Sequence, residues 1–314
     1  MEYRKLGKAG LKVSAIGLGT NTFRRRADEA TSVAIVHRAL DLGVNYIDTS
    51  DTYDLGGSEE FVGKAVRGKR SQIIIATKFG KPMGKGPNDK GSSRWYMMRE
   101  VEASLKRLQT DYIDLYQIHE PDPDTPIEET LRALDDLVRS GKVRYIGTSN
   151  FAAWQLCEAF FTARMHNLHS IVTEQSRYNL LDRKIEAELA PCCRQAHGIG
   201  IIPWGPLAGG FLSGKYHKGE KISPEWRLVD GGRNYGNLFS ETNWDKIARL
   251  DNFAARRGHT LGELAIAWLL SKPWIATVIA GAREVDQVAA NVAAGAWKLT
   301  AEETTEVDAI TAGK

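Results

Sequence analysis

Residues 46–78 open with Tyr46-Ile47-Asp48-Thr49-Ser50, pass through Asp51-Thr52-Tyr53-Asp54 into an amphipathic segment at 58–66, and close on Ile73-Ile74-Ile75-Ala76-Thr77-Lys78. An apolar run, a stretch of helical period and a second apolar run describe a strand, a crossover helix and a parallel strand. The unit recurs along the chain. Apolar runs at 15–20, 46–50, 73–78, 113–119, 145–150, 170–175, 200–204 and 277–281 make eight strand candidates. Their near-continuous apolar character suits strands buried on both faces.

Segments of helical period separate these strands. Ile127, Leu131, Leu134 and Val138 mark one face and Gly141 stops it, while Met98, Val101, Leu105 and Leu108 repeat the pattern. Helices are also expected over 27–42, 58–66, 152–167, 182–197 and 284–294. Eight βα repeats without a change of composition predict an α/β fold, one closed (β/α)8 TIM barrel that makes residues 1–314 a single domain. The first 14 residues read as a hairpin turning at Lys8-Ala9-Gly10 and plugging the barrel bottom. Extra helices are expected at 243–257 and 261–270, between strands seven and eight, and at 300–312. The competing fold, a doubly wound dinucleotide-binding sheet, needs a third glycine that Gly17-Leu18-Gly19-Thr20-Asn21-Thr22 lacks.

Bulk properties exclude several functions. A net charge of +3, with basic residues spread along the chain, argues against nucleic acid. Apolar runs fall short of the roughly 20 residues that span a bilayer, and no signal-peptide core opens the chain. Three cysteines, two of them adjacent, give neither a disulfide framework nor metal-ligand spacing. These features predict a cytoplasmic protein without membrane or metal.

In such a barrel the active site lies at the carboxyl ends of the strands. Asp48, Lys78 and His119 occupy that position on three successive strands, with Tyr53 just beyond the first of them. Each residue alone reads as surface or packing; together they read as chemistry. A lysine ammonium favours the phenolate of a neighbouring tyrosine, and an aspartate holds that ammonium in place. His119 can donate a hydrogen bond to a substrate oxygen, or exchange protons with Tyr53. Such a set protonates an oxygen that gains negative charge, as when hydride reaches a carbonyl carbon. A metal-dependent hydrolase would need more His and carboxylate ligands at strand ends than His119 and Asp48.

Here the sequence resembles the aldo-keto reductase family, including its bacterial sugar and aldehyde reductases. The resemblance rests on residues 45–54, on Ala76-Thr77-Lys78-Phe79-Gly80, and on stretches around 115–122, 146–151, 203–216 and 278–291. It implies reduction of an aldehyde or ketone by NADPH. It also implies that Asp48, Tyr53, Lys78 and His119 are a catalytic tetrad with Tyr53 as general acid. The alternative the resemblance allows is an NADP-binding regulatory subunit like those of potassium channels, with weak or no catalysis.

The NADP(H) contacts are expected along the same face, from Thr20 and Asp48 onward. Ser149, Asn150 and Gln175 supply the donors and acceptors a carboxamide needs. Trp204 offers a flat face to nicotinamide where the family more often has Tyr. Gly205, Pro206, Leu207 and Gly209 form a loop whose backbone amides suit a pyrophosphate, with Lys215 beyond it. The spacing from Gly209 to Lys215 mimics a P-loop, but Tyr216 replaces the hydroxyl residue that would hold magnesium. Gly281, Arg283, Gln287 and Asn291 mark the adenosine end, with Arg283 suited to a 2′-phosphate. Many family members carry a Lys-Ser pair where Gly281-Ala282 stands, and Arg where Gln287 stands. Substrate contacts are expected from Arg24-Arg25-Arg26, from the loop 81–93, and from Trp226, Arg227 and Tyr235. A sugar or short polar carbonyl compound is the expected small-molecule substrate.

Overall fold

The computed structural model describes residues 1–220 and 238–312. Trp226, Arg227 and Tyr235, expected near the substrate, lie outside the described residues. A short hairpin comes first, with β1 (Tyr3–Lys5) antiparallel to β2 (Lys12–Ser14). Eight parallel strands follow: β3 (Ile16–Gly19), β4 (Tyr46–Asp48), β5 (Ile74–Phe79), β6 (Ile113–Ile118), β7 (Val143–Ser149), β8 (Ile171–Arg177), β9 (Gly200–Trp204) and β10 (Val278–Gly281). They pair in the order β10-β3-β4-β5-β6-β7-β8-β9. Between β9 and β10 the cylinder is joined by the segment just before β10. There Ile201 N donates to Trp274 O at 3.2 Å, and Ala276 N donates to Ile201 O at 2.9 Å. This is the (β/α)8 barrel that the repeats predict.

Alternation along each strand decides which side chains enter the barrel. On β5, Ile74 and Ala76 join the interior core, while Ile75 and Phe79 pack against the helical layer. Lys78 shares the face of Ile74 and Ala76. The hairpin seals the amino-terminal mouth. Leu6 and Val13 are fully buried in the interior cluster with Tyr46, Leu115 and Ile202, each burial contributing roughly 1.5–3 kcal/mol. Gly7 makes the seal possible: at φ 60° it lies so close that a Cβ would meet Gly200 N at 2.6 Å and Val172 O at 2.7 Å.

Helices flank the strands where the periodicity places them, shifted by a residue or two at their ends. The helix expected over 182–197 is the exception. A 3₁₀ turn (Lys184–Glu186), one α-helical turn (Leu189–Pro191) and a wider turn (Cys192–His197) stand in its place. Two residues account for the break. Asn179 Oδ1 accepts from the backbone N–H groups of Leu181 and Asp182, both at 3.0 Å, which favours a turn over helix. Pro191 then lacks the N–H that would continue a regular helix. No helix of the described residues is long and apolar enough to cross a membrane.

Candidate active site

The carboxyl end of the barrel gathers the four candidate catalytic side chains, Asp48, Tyr53, Lys78 and His119. Asp48 is the last residue of β4, Lys78 the penultimate residue of β5, and His119 follows β6 directly. All three are buried. Lys78 Nζ donates to Asp48 Oδ1 at 2.7 Å and to Thr49 O at 2.7 Å, and reaches Tyr53 Oη at 3.4 Å. Burial opposes its charge, but Asp48 and Tyr53 outweigh burial and hold Lys78 above the usual lysine range. Asp48 is itself fixed from the other side, since Gln175 Nε2 donates to its Oδ2 at 2.7 Å. Tyr53 is half-buried, and its ring meets His119 edge-on at 6.2 Å between centroids.

Tyr53 owes its place to an unusual turn. Asp54, Leu55 and Gly56 all take left-handed backbone conformations, with φ of 51°, 50° and 92°. Ser58 N then donates back to Tyr53 O at 3.1 Å, tying the turn to the helix Gly57–Ala65. A left-handed leucine costs on the order of 1 kcal/mol, a strain tolerated beside the site.

A cleft of about 560 Å³ runs from these residues across the barrel mouth. Every residue expected to bind cofactor lies on its wall, from Thr20 and Asp48 through Ser149, Asn150 and Gln175 to Trp204, Gly205, Pro206, Leu207, Gly209 and Lys215, and on to Gly281, Arg283, Gln287 and Asn291. Tyr53 and His119 line it as well, whereas Lys78 stands behind the wall. The volume suits a bound organic cofactor. Asn150 sits at φ 60°, where its Nδ2 donates to His119 O at 3.1 Å and its Oδ1 accepts from Trp204 Nε1 at 3.0 Å. After Trp204, the loop follows a 3₁₀ path (Ala208–Ser213) in which Gly209 and Gly210 take φ of 71° and 104°. Tyr216 turns inward, edge-on to Phe211 at 5.8 Å. No P-loop geometry arises there.

Residues 15–312 match the model of the Aldo/keto reductase family. The chain belongs to this family. Its similar proteins include the "Probable voltage-gated potassium channel subunit beta" of Arabidopsis thaliana, 41% identical over 305 residues that cover 94% of this chain and 91% of that protein. The "Aldo-keto reductase YhdN" of Bacillus subtilis is 36% identical over 322 residues, covering 99% of this chain and 93% of that one. The "Uncharacterized oxidoreductase YrpG" of the same organism is 38% identical over 299 residues, with 92% and 89% covered. The chain is thus an aldo/keto reductase family oxidoreductase, and NAD(P)H is the cofactor general to that family.

The far end of the aldo/keto reductase cleft shows what the sequence did not. Arg26 lines it together with Lys215 and Arg283. Burial first, and then the charges of Arg283 and Arg26, hold Lys215 below the usual lysine range. Three cations therefore share one end of the cleft. The Arg24-Arg25-Arg26 loop, expected to meet substrate, divides: Arg24 turns away to Asp54 at 3.4 Å and Glu60 at 3.1 Å, while Arg26 faces this cationic end. Nothing in residue spacing announces the split, because Arg24 takes φ 64° and reverses the chain. Gln287 Oε1 accepts from Arg283 N at 3.0 Å, and Asn291 Nδ2 donates to Gly281 O at 3.3 Å. Glu263, Thr260 and Ser213 also line the cleft, and Lys81 stands at its rim.

Behind these four side chains an ionic cluster, largely buried, braces the helices. Arg107 Nε donates to Glu59 Oε2 at 2.6 Å and its Nη2 to Glu100 Oε1 at 2.5 Å, while Thr77 Oγ1 donates to Glu59 Oε1 at 2.5 Å. This cluster links the helices Gly57–Ala65 and Arg94–Leu108 to β5.

Proposed function

We propose that the protein reversibly reduces an aldehyde or ketone to the alcohol with NADPH, and that Tyr53 delivers the proton to the carbonyl oxygen. The observation that carries this reading is the fully buried Lys78, bridging Asp48 and Tyr53 at the wall of the cleft. A dinucleotide held in the cleft would supply the hydride. The chain's own groups do the rest. Tyr53 gives up its phenolic proton, the Lys78 ammonium stabilises the oxygen left behind, and Asp48 keeps that ammonium aimed. His119, edge-on to Tyr53 in the same wall, would orient the substrate oxygen. Ser149, Asn150 and Gln175 would hold the carboxamide, with Trp204 against the ring and the loop Gly205–Gly209 and Lys215 along the phosphates.

Preference for NADP over NAD is supported by the cationic end. Arg26, Lys215 and Arg283 provide the charge a 2′-phosphate needs, compensating for the family's Lys-Ser pair that this chain lacks. A sugar or short polar carbonyl compound suits a mouth where Lys81 and Tyr53 offer polar atoms beside the ring faces. Oxidation of NADPH with a panel of small aldehydes tests the reading. Turnover is expected with at least one, and Tyr53→Phe should lower it about 10²-fold or more. Equal turnover by that variant rejects Tyr53 as the acid. The similarity to proteins named as potassium channel β subunits favours a second reading, an NADP-binding regulatory subunit with weak or no catalysis. Tight NADP binding with no turnover across the panel would support it.

A further inference from the structure

Two side chains that the proposed chemistry leaves unused stand behind the imidazole. Ser50 Oγ lies 3.1 Å from His119 Nδ1 and 2.9 Å from Asp51 Oδ1, and all three residues are buried. A serine hydroxyl has one proton to give. What Ser50 does toward His119 therefore depends first on what Asp51 does toward Ser50. If Asp51 is ionised it takes the Ser50 proton. Ser50 must then accept from Nδ1–H, and the neutral ring carries its lone pair on Nε2. If Asp51 is a neutral acid it donates to Ser50, Ser50 donates to Nδ1, and the ring carries its proton on Nε2. For a carbonyl oxygen waiting in the cleft these outcomes are opposite.

The surroundings favour the second. Asp51 Oδ2 is buried and meets no hydrogen-bond donor among the described residues. An ionised oxygen so placed pays a much larger desolvation penalty than the carbonyl oxygen of a neutral acid. Burial above all, then the negative charges of Glu59 and Glu100, push Asp51 well above the usual carboxylate range. The cation of that region, Arg107, is engaged by Glu59 and Glu100. Thr52 N donates to Asp51 Oδ1 at 2.6 Å, which by itself favours the carboxylate, but burial and the two neighbouring negative charges outweigh it.

We propose that Asp51, as the neutral acid, and Ser50 form a hydroxyl relay that fixes His119 as its Nε2–H tautomer, so that the ring presents a hydrogen-bond donor to the substrate oxygen. Ser50 and Asp51 are then positioning residues acting through His119. The benefit to catalysis rests on the reading that a carbonyl oxygen binds there; the tautomer does not. Thr52 Oγ1, 3.1 Å from Ser50 Oγ, is a competing acceptor for the Ser50 proton. Were it to win, the tautomer would reverse, so the wild-type spectrum decides between them.

The test is a two-bond ¹H–¹⁵N correlation spectrum of the full chain labelled at histidine, with the His119 signals assigned from their loss in His119→Asn. The Nε2–H pattern is expected for wild type. It should persist in Ser50→Thr, which keeps the hydroxyl. Ser50→Ala should shift the ring toward Nδ1–H and lower kcat for aldehyde reduction about 10-fold at nearly constant KM. An Nδ1–H pattern in the wild type, a result that needs no variant to fold, overturns the relay, as does an unchanged tautomer in Ser50→Ala. A wild type with the Nε2–H pattern but no carbonyl turnover would sink the enzymatic reading and leave the relay standing.

Discussion

Replacing Lys78 by methionine probes the proposed chemistry at its most constrained point. The ammonium lies 3.4 Å from Tyr53 Oη, and at that separation two unit charges in an effective dielectric near 20 attract by about 5 kcal/mol. Tyr53 is half-buried, so water screens part of this, and roughly half, about 2–3 kcal/mol, is a reasonable share to reach the transition state. That corresponds to a loss of about 10²-fold in kcat. The same substitution removes the cation bonded to Asp48 at 2.7 Å, and an uncompensated buried carboxylate costs about 3–5 kcal/mol of stability. The two effects separate in a double variant. Lys78→Met with Asp48→Asn should regain much of the lost stability, read as a urea midpoint, and should not regain the rate, read as NADPH oxidation at saturating aldehyde. A folded Lys78→Met protein turning over within about threefold of wild type would refute the role given to the ammonium.

Arg26→Ala and Arg283→Ala should each raise KM for NADPH about 10-fold while barely moving that for NADH; parallel changes for both cofactors would remove the case for a 2′-phosphate site. Arg107→Leu leaves Glu59 buried without its cation and should cost about 3–5 kcal/mol in chemical denaturation, an unchanged midpoint counting against the buried cluster as a brace. Glu174 gives a pH test. Its carboxyl accepts from Thr148 Oγ1, Ser176 Oγ and Phe151 N, yet burial above all pushes it up to about 7 from 4.5. The folded protein then holds a proton that the unfolded chain releases near pH 4.5, so this group makes stability fall as pH rises from there toward 7, by an amount on the order of 3 kcal/mol. Glu174→Gln should flatten that slope, and melting curves with the same pH dependence in both proteins would contradict it.

The barrel and the gathering of the candidate residues at one end of it were legible because both follow from alternation. Strands buried on two faces show as apolar runs, and the residue ending each run lies at the mouth wherever it points inward. Asp48, Lys78 and His119 could be placed together without knowing any distance between them. What was hidden depends on single backbone conformations or on contacts between distant elements. The break across 182–197 follows from the Asn179 side chain capturing two backbone donors and from Pro191. The parting of Arg24 from Arg26 follows from one left-handed residue. Ser50 and Asp51 stood in plain view beside Asp48, but a hydroxyl and a carboxyl in sequence carry no mark of the imidazole they meet from another strand.

The join between β9 and β10 has a thermodynamic consequence. The cylinder is stitched there by the Trp274–Ala276 segment rather than by the final strand, and the walls of the cleft stand on either side: Trp204 and the loop to Lys215 after β9, Gly281 through Asn291 after β10. A molecule gripped by both would act as a clasp on a hoop. Its affinity would include whatever opening that junction costs, and by mass action the free protein should exchange its amide hydrogens around Ile201 and Ala276 faster than the ligated one.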